Sequence, residues 1–79
     1  MDEAIERRDL AMAVRHLVQV RELIRNQIGV VRQCRANGWD AEAPSALLHE
    51  LLQAQHNHRT HRDLILVTMA DQSLTRWPG

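Results

Sequence analysis

The 79-residue chain sets ten arginines, with no lysine, against ten acids, so its formal charge is zero, and 44% of its residues are apolar. With two tryptophans and neither phenylalanine nor tyrosine, the core must be built from Leu, Val, Ile, Ala and Met, which excludes an all-β sandwich and points to a single small helical domain. Balanced charge, with Arg interleaved among acids along the sequence, lacks the electrostatic footprint of a nucleic-acid binder or an anionic-membrane binder, so neither partner is expected.

The opening residues Asp2, Glu3, Glu6, Arg7 and Arg8 are charged, with no apolar stretch of signal-peptide type behind them, and no run approaches a membrane span. A lone cysteine, Cys34, permits no internal disulfide and fits a reducing compartment. A cytoplasmic location is the expectation.

The first predicted element is a helix over 3–37. Leu10, Ala13, Leu17, Val20, Ile24, Val31 and Cys34 alternate by threes and fours, the spacing of a continuous helical seam, with Gln27 its one polar interruption. Val14, Val18 and Ile28 widen the apolar arc on one side, and Met12, Leu23 and Val30 widen it on the other. The arc covers about half the circumference, more than one partner helix can bury. Acids at the start and Arg32 and Arg35 at the end complement the helix dipole.

A turn over 38–41 follows. Asn37-Gly38 supplies a left-handed C-terminal cap with Trp39 placed to fold back on the last turn. Asp40 is the cap of the next helix, where Pro44 is tolerated only in the first turn.

The second helix is predicted over 42–73, with a flexible tail over 74–79 ending in Trp77-Pro78-Gly79. Leu47, Leu48, Leu51, Leu52 and Ala54 open it, a polar middle runs from Gln55 to Asp63, and Leu64 to Ala70 is mostly apolar again. Carrying the seam through 47, 51, 54, 58, 61, 65 and 68 sets His58 and His61 in the core. So short a connection makes the helices antiparallel, giving a hairpin. Its remaining apolar face is expected to pair with a second copy as a four-helix bundle, the core and dimer seam comprising Leu10, Leu17, Val20, Ile24, Ile28, Val31, Leu47, Leu51 and Ile65. Gly29 falls on the polar side, where it costs about 1 kcal/mol relative to Ala.

Symmetric pairing about the turn sets His16 level with Asp63 and within a turn of His61. His16, His58, His61 and Asp63 are thus candidate ligands for zinc or a similar borderline metal, because imidazoles three apart on one helix can share an ion. The structural reading of the same residues is hydrogen-bonded histidine that fixes register. A third is a pH-responsive interface, since protonation would load charge into the seam. His56, Arg59, Thr60 and Asp63 also read as an ordinary solvated face.

His49-Glu50-Leu51 is similar over three residues to the phosphoacceptor box of histidine kinases, whose dimerisation domain is also a helical hairpin. Here the histidine lies on the second helix and Leu52-Gln53 follows. A surface histidine is the commoner meaning, and phosphotransfer at His49 is an alternative reading. Cys34 reads as a small core residue rather than a nucleophile. There is no Gly-rich phosphate loop, and neither a cofactor nor catalysis is expected.

The stretch Arg35-Ala36-Asn37-Gly38-Trp39-Asp40, then Ala46-Leu47-Leu48 and His58-Arg59-Thr60-His61-Arg62-Asp63, resembles an uncharacterised family of short proteobacterial helical-hairpin proteins. The likeness covers about 13–65 in layout and is strongest in the turn and the His-Arg segment. Trp39 stands where those relatives often have His, and Ala41 where they often have Thr. The resemblance implies a helical hairpin and a bacterial origin, and no activity.

The sequence thus reads as a non-enzymatic homodimeric helical module that binds another, unidentified protein, with Met12, Leu23, Val30 or Leu66 marking the partner surface. The alternatives are a metal- or pH-responsive switch centred on His16, His58 and His61, and phosphotransfer at His49.

Overall fold

A computed structural model describes residues 3–75. Two α-helices of 34 residues each, α1 (Glu3–Ala36) and α2 (Glu42–Thr75), pack antiparallel as a hairpin. Overall extents are 66 × 16 × 14 Å, the shape of a rod two helices thick.

Three of the four helix ends have a chemical cause in the described residues. Glu3 and Glu6 lie in the first turn of α1 and Arg35 in its last, opposing the helix dipole. Gly38 takes φ +69°; its N–H donates to the Arg35 carbonyl at 3.2 Å, and the Trp39 N–H donates to the Cys34 carbonyl at 2.8 Å. That pair of bonds is the Schellman motif. Trp39 nevertheless stays 62% exposed, so most of its indole area lies off the last turn. The Asp40 carboxylate accepts from the Glu42 N–H at 3.0 Å, and the Ser45 N–H donates to the Ala41 carbonyl at 2.9 Å. Pro44, which has no N–H to give, occupies the first turn, where such a donor has no helical partner anyway.

Two expected boundaries shift. Asn37 belongs to the turn rather than to α1, and α2 continues through Thr75, so Leu74 and Thr75 are helical rather than tail. Pro78 restricts only the residue before it, which leaves positions 74 and 75 unconstrained. The rest of the expected tail, 76–79, lies outside the described residues.

The seam of α1 follows the predicted spacing. Ala13, Val20, Ile24 and Val31 are buried, with Leu10, Leu17, Gln27 and Cys34 half-buried in the same row. On α2 the facing row is Leu48, Leu51, Gln55, His58, Arg62, Ile65 and Met69, all half-buried. This corrects the expected seam: Leu47 is 46% exposed, and His61 and Thr68 are exposed as well. Leu47 and Leu48 are equally apolar, so spacing alone could start the seam at either. In the structure the Gln27 amide donates across the hairpin to the Pro44 carbonyl at 2.9 Å and ties the first turn of α2 to the α1 seam. Gln27, the apparent flaw in the seam, is therefore a cross-link.

Candidate functional site

A seven-residue step returns to the same side of a helix in this packing, so each flank of the hairpin is a pair of rows. On the first flank α1 contributes Asp9, His16, Leu23 and Val30, and α2 contributes Leu47, Ala54, His61 and Thr68. Two open cavities lie along it. One, of about 370 Å³, is lined by His16, Gln19, Val20, Leu23, Leu51, Ala54 and His58. The other, of about 180 Å³, is lined by Glu6, Asp9, His61, Leu64, Ile65 and Thr68. The half nearer the loop is apolar, and the far half carries the histidines and acids.

The His16 and His58 rings meet across the two helices, with centroids 5.4 Å apart and planes inclined by 55°. His58 is half-buried in the seam, while His16 is exposed at its edge. His16 is level with His58 and not with Asp63, because the loop brings α2 back alongside α1 by more than a helical turn before pairing begins. The expected four-residue cluster is thereby divided. His61 falls in the second cavity beside Glu6 and Asp9. Asp63 is exposed and takes two hydrogen bonds, at 3.0 and 3.1 Å, from the neighbouring Arg62. Among the described residues no three His, Cys, Asp or Glu side chains stand together as a metal site.

Glu6 was legible only as a first-turn acid, yet it is 9% exposed and its Oε1 is buried with no hydrogen-bond partner. Its position three after Glu3 and four before Leu10 is the signal that puts it on the seam. A carboxylate oxygen in that state costs free energy, so Glu6 is a local weakness in the packing.

The second flank is of opposite character. Arg7, Val14, Arg21, Ile28 and Arg35 form its α1 row, and Ser45, Leu52, Arg59, Leu66 and Ser73 its α2 row, with no acid in either. Arg25 and Val18, beside Arg21, extend it round α1, where they and Glu22 line a shallow depression. Charge that looks interleaved along the sequence is unequal between the flank rows: those of the first flank hold Asp9, His16 and His61 and no arginine, and those of the second hold four arginines and no acid.

The remaining candidates are placed as follows. Leu51 and Ile65 pair with α1 inside the hairpin, and Ile28 is half-buried at its edge. Packing of one hairpin uses up the rows assigned by sequence to a dimer seam, so a second copy would have to meet other residues. Met12, Leu23 and Val30 are exposed on the first flank, and Leu66 is exposed on the second. His49 is exposed on α2, as is its neighbour Glu50. Cys34 is half-buried at the end of the α1 seam. No described helix is long and apolar enough to cross a membrane.

No family model matches the chain, and no curated protein or solved structure matches it.

Proposed function

We propose that the chain is a non-catalytic, self-associating interaction module, in which the first flank pairs with a second copy and the second flank receives an acidic amphipathic segment of another protein. The observation that carries this reading is the sorting of side chains about the seam. Leu23, Val30, Leu47 and Leu64 are exposed on the first flank, and the two rows lining its groove contain no arginine. On the second flank Arg and aliphatic residues alternate, which suits a partner presenting both carboxylates and apolar side chains.

Surface area supports a second copy. The chain exposes 6328 Å² at 9.1 kDa, whereas a compact folded monomer of that mass exposes about 4,900 Å². The excess, about 1,400 Å² per chain and so about 2,800 Å² over two, falls in the range that obligate homodimers bury. A two-fold pairing on the first flank sets its apolar rows together without opposing like-charged arginines, since neither row carries one. A cytoplasmic setting fits the lone thiol.

Charged substitutions separate the flanks. Leu23→Glu with Leu47→Glu should lower the association constant at least about tenfold, because both residues are already exposed in the hairpin and their change leaves its packing intact. Val67→Glu, at a 66% exposed position on the back of α2, should leave association unchanged. Equal sensitivity at both sites, read by sedimentation velocity, would sink the assignment.

A further inference from the structure

We propose that His16 and His58 form a two-imidazole clamp for a divalent transition metal such as Zn²⁺, completed by the same two residues of a second copy. The inference rests on the self-association just described and adds a ligand to it. At a Zn–N distance of about 2.0–2.1 Å and a tetrahedral angle, two imidazoles sharing one ion hold their centroids about 5.2 Å apart. The observed 5.4 Å separation is that of such a pair, and the 55° inclination sets the rings apart from a stack.

The surroundings suit neutral nitrogen ligands. The adjoining cavity presents Gln19, Val20, Leu23, Leu51 and Ala54, with neither a carboxylate nor an arginine among them. The Gln19 amide is the one other polar side chain in that lining, available to orient an imidazole from outside the metal. The ring contact is the only interaction found for either imidazole among the described residues. His61, by contrast, shares its cavity with Glu6 and Asp9 and faces no second imidazole.

Position along the rod supplies the missing ligands. His58 stands at the middle of α2 (Glu42–Thr75), and His16 lies one turn from the middle of α1 (Glu3–Ala36). A two-fold axis running along the rod brings the two His16–His58 pairs to one height, and an antiparallel pairing does so when its axis crosses the rod at the level of those pairs. Four imidazoles then surround one ion, a closed tetrahedral set.

The test uses the full chain, first freed of metal with a chelator, then titrated with Co²⁺ as a spectroscopic probe and Zn²⁺ as competitor. The expected result is one ion per two chains and the visible absorption of tetrahedral Co²⁺. His16→Ala and His58→Gln should each weaken uptake by at least about tenfold, with circular dichroism confirming that the helices persist, and His61→Gln should leave it unchanged. No saturable uptake, one ion per chain, or uptake indifferent to His16 and His58 would each overturn the clamp. Sedimentation without metal separates the two claims: a metal-free dimer that takes up no Co²⁺ defeats only the clamp, whereas a monomer with and without metal defeats the self-association beneath it.

Discussion

Two glycines in this chain should respond with opposite sign to the same methyl group. Gly38 sits at φ +69° in the C-terminal cap of α1, and a Cβ built there meets nothing within 4 Å. The cost of Gly38→Ala is therefore backbone strain alone, about 1–2 kcal/mol for an L-residue in the left-handed region. Gly29 lies inside α1 on the side away from the seam, and a Cβ there also meets nothing within 4 Å. Gly29→Ala removes the helix-propensity penalty and should stabilise by about 0.8–1.0 kcal/mol. Since 1 kcal/mol moves the midpoint of a domain this size by about 4–8 °C, the two variants should melt about 10–20 °C apart, on either side of wild type. The assay is thermal unfolding by circular dichroism at one fixed protein concentration, because association adds to apparent stability. A Gly38→Ala variant as stable as wild type would refute the capping geometry. A destabilised Gly29→Ala variant would show that this outer face of α1 is packed against another chain, contrary to pairing through the first flank.

Gln27→Ala should cost about 1 kcal/mol in urea denaturation, the worth of the part-buried bond to the Pro44 carbonyl; no loss would mean that the cross-link does not set register. Glu6→Leu should raise the urea midpoint at neutral pH, since it replaces a buried carboxylate with an unpartnered oxygen by an apolar group of similar length. A lower midpoint would show that Glu6 meets a partner in solution. Ala13 is only 2% exposed between the helices, so Ala13→Leu should overpack the seam and destabilise by about 1–3 kcal/mol, and an unchanged midpoint would indicate a looser hairpin.

The hairpin is legible in the sequence because three strong local signals agree: the three-four spacing from Leu10 to Cys34, the Asn37-Gly38 stop, and Asp40 with Pro44 at the restart. The face of α2 is not legible in the same way. Its middle third presents Gln55, His58 and Arg62 to α1, so no apolar contrast distinguishes the true row from the one containing His61, and the choice falls to the Gln27 bond and the loop path. The same offset explains why His16 meets His58 and misses Asp63. Sorting of charge was hidden for another reason. Arg7, Arg21 and Arg35 are fourteen residues apart, a step that aligns them in one row of α1, and neither intervening acid, Asp9 nor Glu22, falls in that row. Read as a string they look mixed, and only the hairpin's rows separate them.

In the proposed dimer the first flank is covered by a second copy of the chain. Sedimentation equilibrium of the intact protein at neutral pH, over a hundredfold range of concentration, tests it directly. The expected result is a species of twice the 9.1 kDa chain mass that dissociates only at the lowest concentrations. A well-folded species of single-chain mass throughout would contradict it.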